Sequence, residues 1–156
     1  NIAPEFAVDG VAFRWAADCA LADAALVMAG RHPLEFDMAL DCAARDVTIT
    51  GAWNKGPGGN GYVRFARAFG CTLERAEVTG VRHLAFQWSS AGNVVRDSYL
   101  GTDVNFHGGL SRDNLVQDCA IEPPPGHPWD AVTRMPEGGA HWAAPDGPGN
   151  RVIPEP

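Results

Sequence analysis

The chain has 156 residues and a formal net charge of −7, with only 20% charged residues and abundant Gly (18) and Pro (12). That length supports one domain with a sizeable core, and the mix suits a turn-rich β architecture better than a helical bundle. The acidic balance argues against a phosphate-neutralising nucleic-acid face, and no run of about 18 apolar residues is available to span a membrane.

In chain order, the first predicted strand holds Val11 and Phe13, two residues apart as in a strand with one buried face. The segment CALADAAL follows from Cys19. The Ala-rich stretch over residues 16–28 is locally ambiguous between strand and helix. Both features then recur. Leu34 and Phe36 precede CAARDVTI from Cys42, and Val63 and Phe65 precede CTLERAEV from Cys71. Leu84 and Phe86 precede NVVRDSYL from Asn93, and Val104 and Phe106 precede NLVQDCAI from Asn114. Each copy begins with Cys or Asn, has an apolar residue two positions on, and ends on Leu, Ile or Val. Four positions on is Asp, except at Arg75. A weaker sixth copy pairs Trp142 with Asn150 and Val152.

Successive copies lie 21 to 29 residues apart. Short strands repeated at that interval, with like residues at like positions, describe a solenoid. Coils stack about 4.8 Å apart, so the Phe column becomes a buried aromatic ladder that no single coil forms alone. The Cys column reads as stacked free thiols, because side chains running parallel are poorly placed to bridge. The four cysteines also lack CxxC spacing, so they do not read as a zinc knuckle.

The N-x-V-x-D-x-x-[LI] motif at Asn93 and Asn114, with its Cys variants upstream, resembles the right-handed parallel β-helix proteins of the pectate-lyase-like superfamily. The resemblance covers residues 6–121 and extends faintly to Val152. It implies an all-β fold, a single right-handed parallel β-helix of about six coils across residues 1–156. Asn93, Asn114 and Asn150 would form an Asn ladder in the tight turn between the second and third sheets. With no initiator Met, and neither a basic n-region nor an apolar h-region, the chain reads as a piece of a longer β-helix. Further coils would then be its neighbours. An edge coil near Phe13 would otherwise leave strand edge unpaired.

Connections between copies are short in the middle and long on either side. The long ones are GAWNKGPGGNG (residues 51–61) and a Pro-rich loop (residues 122–140). Insertions in a solenoid gather on one face, often the binding face. These loops should wall a saddle whose floor is the strands around Phe86 and Phe106. Trp53 and Trp129 sit in the walls, where aromatic rings suit the apolar faces of sugars.

If each Phe points inward, the residues beside it point outward. That places His83 and Gln87 on one coil, Asp103, Asn105 and His107 on the next, and His141 beyond. Tyr62 and Arg64 lie on the opposite side. An Asp beside a His fixes the imidazole tautomer and raises its basicity, as a general base requires. His83, Asp103, His107 and His141 are alternatively placed to hold a divalent cation such as calcium, although no compact ligand motif points to one.

Members of the family commonly cleave acidic polysaccharides on this strand face. The resemblance thus implies a secreted, periplasmic or surface polysaccharide-active enzyme. His107 or His83 would be the base, Tyr62 the acid and Arg64 the partner of the uronate carboxylate. Gln87, Asn105, His141, Trp53 and Trp129 would hold substrate. Hydrolysis needs two carboxyl groups about 5–9.5 Å apart. Asp103 has no acidic neighbour on adjacent coils, which favours β-elimination. The family's calcium-binding Asp cluster and catalytic Arg motif are not recognisable in this sequence. The rival expectation is a module that binds glycan without cleaving it, or a structural β-helix, as in adhesins or phage tail spikes.

Overall fold

The computed structural model describes residues 7–56, 60–135 and 145–154, and over these residues the fold is all-β. One sheet contains β1 (Val11–Arg14), β3 (Leu34–Asp37), β5 (Tyr62–Ala66), β8 (His83–Gln87), β11 (Val104–Phe106) and β13 (Val132–Arg134), in that order. The second contains β2 (Ala20–Ala29), β4 (Ala43–Ala52), β6 (Thr72–Glu74), β7 (Glu77–Thr79), β9 (Val94–Arg96), β10 (Tyr99–Gly101), β12 (Leu115–Ile121) and β14 (Arg151–Pro154). Every pairing is parallel, and each strand lies beside its equivalent one repeat away. The Ala-rich stretch resolves as strand: β2 pairs with β4 along nearly its whole length. No helix among the described residues is long and apolar enough to cross a membrane.

Alternation within the first sheet sends Phe13, Phe36, Phe65, Phe86 and Phe106 into one column. Their rings stack at centroid spacings of 5.0, 4.7, 4.9 and 5.3 Å. All but Phe13 are fully buried. Facing them are Leu73, Val95 and Val116 from one arm of each repeat, and Ile49, Val78 and Leu100 from the other.

The sixth rung differs from expectation. Trp142 lies outside the described residues, and the strand in register beyond β11 is β13, with Arg134 opposite Phe106. The Arg134 guanidinium lies 4.4 Å from the Phe106 ring centre and caps the ladder as a cation–π contact. The aromatic column therefore ends at five rings among the described residues.

Two motif columns have backbone roles. Asp23, Asp46, Arg75, Asp97 and Asp118 all take φ between 49° and 54°. This is the left-handed region, which Asp tolerates better than most residues, so the motif Asp marks a corner in the strand. Arg75 adopts the same corner and pairs with Asp46 at 2.7 and 2.8 Å.

The motif's first residue sits at another corner. Asn93 Nδ2 donates to Asn114 Oδ1 (2.8 Å), and Asn114 Nδ2 donates to Asn150 Oδ1 (2.9 Å). Asn93 Oδ1 accepts from the Cys71 backbone N–H (2.9 Å), and its Nδ2 also reaches the Ala68 carbonyl. Where Cys replaces Asn, the thiol of Cys19, Cys42 or Cys71 donates weakly to the carbonyl two residues back. Cys19, Cys42 and Cys71 are free thiols.

Candidate functional site

Residues three before each Phe stack on neighbouring strands outside the aromatic column. Tyr62 is in register with His83, and the Asp103 carbonyl accepts the Leu84 N–H (3.0 Å), which sets Asp103 beside His83. All three point away from the Phe core, as alternation requires. They are nevertheless buried: Tyr62 and His83 are 2% exposed and Asp103 0%. The floor is thus not an open saddle, because the segment after β12 folds down over it and brings His127 and Trp129 onto the three side chains.

Asp103 is the hub. Its Oδ1 lies 2.7 Å from His83 Nδ1 and 2.7 Å from His127 Nε2, and its Oδ2 lies 2.9 Å from His83 Nδ1. A carboxylate only accepts, so both rings direct N–H groups at it, which selects a tautomer in each. Aromatic edges hold the rings in place. Trp129 sits 4.3 Å from His83 and 5.4 Å from His127 between ring centres. Tyr62 contacts His83 at 5.0 Å and His107 at 6.2 Å. The Arg82 guanidinium lies 5.0 Å from the Trp129 ring centre and 5.9 Å from that of Tyr62. Arg82 also donates to the Gly56 carbonyl (2.5 Å), tying the first long loop to this corner.

Beside the cluster opens a cavity of about 440 Å³, lined by Lys55, Arg82, Pro124, His127, Pro128 and Trp129 among others. Two cations, an aromatic wall and an imidazole therefore share one depression. Burial raises the Tyr62 phenol above its ordinary range, with Asp103 adding to the effect. Burial lowers His107, which favours a neutral imidazole.

The other expected residues are distributed differently. His107 meets Tyr62, and the ligand-type side chains that converge among the described residues begin with His83 and Asp103. His127 takes the third place. His141 lies outside the described residues. Arg64 is engaged by Glu35. Gln87, oriented for best bonding, accepts from Arg64 Nη1 (3.1 Å) and Trp88 Nε1 (3.2 Å). Asn105 is buried, and its Oδ1 has no partner among the described residues. Trp53 is 66% exposed and makes no ring contact with the cluster; its N–H donates to the Ala29 carbonyl.

Sequence reasoning passed over Lys55, Arg82 and His127. For His127 a signal existed. It lies two residues before Trp129 in the Pro-rich loop already assigned to the wall, and Pro128 restricts its backbone to extended conformations. Arg82 lies one residue outside the period-two pattern of β8, so alternation had nothing to say about it.

No family model, curated protein or solved structure matches the chain.

Proposed function

We propose that this chain is a right-handed parallel β-helix of the pectate-lyase-like kind, and that it binds and cleaves an acidic polysaccharide by β-elimination in the cavity beside Asp103. The fold reading is supported by equivalent strands pairing in register, the ring column, and the Asn ladder. One observation carries the functional reading: Lys55 and Arg82 share a cavity with the Trp129 wall. A uronate offers a carboxylate to the cations and an apolar ring face to the indole.

Elimination removes the C5 proton, forms a C4–C5 double bond and expels the C4 oxygen. Cations at the carboxylate stabilise the carbanion-like transition state. The half-buried His107, kept neutral by burial, accepts the C5 proton. Tyr62 supplies a proton to the departing oxygen. Arg64, paired with Glu35, is less suited to the substrate carboxylate than Lys55 and Arg82. Asp103 and His127 hold the aromatic wall against the strands. A polymeric uronate substrate places the protein outside the cytoplasm or at a cell surface.

The near-complete burial of Tyr62 favours one rival, a module that binds the glycan without cleaving it. An unsaturated-product absorbance screen over acidic polysaccharides, paired with a binding assay, separates the two. Elimination predicts product from wild type and none from His107→Ala, with binding kept. Binding without product in wild type selects the rival. Neither binding nor product on any acidic glycan refutes the reading.

A further inference from the structure

The three groups that meet at the hub have a second use, independent of any saccharide. We infer that His83 Nδ1, the Asp103 carboxylate and His127 Nε2 form a binding site for one divalent transition-metal ion of the zinc class. The three ligand atoms lie within 4.8 Å of one another. Two of the contacts are already at 2.7 Å through a shared carboxylate oxygen. Tetrahedral zinc with bonds near 2.0–2.1 Å needs ligand atoms about 3.3 Å apart, so each hydrogen-bonded pair parts by roughly 0.6 Å. The ring nitrogens facing Asp103 are the atoms that coordinate, so binding requires each neutral imidazole to carry its proton on its other nitrogen.

Chemistry selects the class of ion. Two imidazole nitrogens with one carboxylate oxygen suit zinc and its neighbours, whereas calcium and magnesium prefer all-oxygen shells. Three protein ligands leave one position for water, as at catalytic rather than structural zinc sites. His127 lines the cavity, so an ion would reach the site from that side.

The surroundings fit as well. The Asp103 side chain is 0% exposed, and the two groups paired with it are imidazoles rather than guanidinium or ammonium. A bound dication meets the cost of keeping that carboxylate away from water. Trp129 and Tyr62 pack edge-on against the ligand rings, the sort of shell that fixes ring orientation and limits solvent. His127 arrives from a loop 24 residues beyond Asp103, so coordination would also fasten that loop to the sheet.

The test uses the whole chain, stripped with EDTA, dialysed and titrated calorimetrically with zinc, calcium or magnesium chloride. Metal content after gel filtration gives the stoichiometry. The site predicts one zinc per chain, no competition from millimolar calcium, and affinity lower by on the order of tenfold or more in His127→Ala. His127 lies outside the core, so this variant should retain the wild-type circular dichroism. If it fails to fold, X-ray absorption on zinc-loaded wild type decides the matter. Nitrogen and oxygen ligands with imidazole scattering support the site; a sulfur shell assigns the ion to Cys19, the exposed thiol, and overturns it. Absence of zinc uptake, or uptake unchanged in a folded His127→Ala, overturns it too.

Discussion

The two ends of the first sheet's outer face treat buried carboxylates in opposite ways. At the β3 end, Glu35 lies between Arg14 (2.9 Å) and Arg64, while Asp37 meets Arg67 (2.6 Å) and Arg14 (3.5 Å). At the β8–β11 end, Asp103 is just as buried but meets two imidazoles. Guanidinium keeps its charge at any ordinary pH. An imidazole exchanges protons near neutrality and also donates to metals. One outer sheet face therefore carries a saturated ion-pair network at one end and a chemically responsive cluster at the other. The cavity opens at the responsive end.

Disrupting the saturated end should cost the most stability. Glu35 is fully buried, and removing it leaves the Arg64 guanidinium without its carboxylate, while Arg14 keeps Asp37. Glu35→Ala should destabilise the fold by about 3–5 kcal/mol, read as a lower urea midpoint, while zinc uptake per folded chain stays unchanged. Loss of uptake in a folded Glu35→Ala protein would mean the two ends act as one unit.

A smaller loss is expected at the responsive end. In Asp103→Asn both imidazole N–H groups lose their charged acceptor and keep at most a neutral amide oxygen, a cost of roughly 1–3 kcal/mol. Zinc affinity should fall far more than stability does. Equal loss of both would make the cluster a clamp and nothing more.

The difference between the ends also bears on what the sequence revealed. Period-two alternation around each Phe located Tyr62, His83 and Asp103 on one outer column, and the repeat aligned them across strands. Those statements needed only local pattern. Their burial was not legible, because it comes from residues 122–131, an insertion whose path no repeat constrains. The same insertion hid the strand register beyond Ile121, so Arg134 stands where Trp142 was expected. Asp at motif position four was visible as a column, yet its cause is a left-handed corner. A Coulombic reading of Asp97 or Asp118 would have sought a partner where the backbone was the reason.

Acid pH should probe the saturated end through a group that sequence reasoning did not flag. His32 Nδ1 accepts the Tyr62 backbone N–H (3.2 Å), and its pKa is pushed down to about 3, chiefly by burial, with the Arg64 charge adding. A folded value below the unfolded 6.5 means that the unfolded chain binds the extra proton. His32 therefore contributes stability that is complete above pH 6.5 and lost as pH falls toward about 3. Chemical denaturation across that window should give a slope of up to about 1.4 kcal/mol per pH unit from this group. His32→Asn, which can still accept the N–H, should flatten it. An unchanged slope would place acid sensitivity elsewhere.

The smallest effect should come from Trp53, one of two wall tryptophans that the sequence pattern treats alike. Trp129 packs on His83, His127 and Arg82, so Trp129→Ala removes the cavity wall and the lid over two ligand rings. Trp53 is 66% exposed, and Trp53→Ala should change stability by no more than about 0.5 kcal/mol. Glycan affinity and zinc affinity should both fall in the first variant and hold in the second. A glycan-affinity loss confined to Trp53→Ala would move the saccharide off the cavity and onto the exposed end of the first loop. The zinc site would stand untouched by that result, because none of its three ligands touches Trp53.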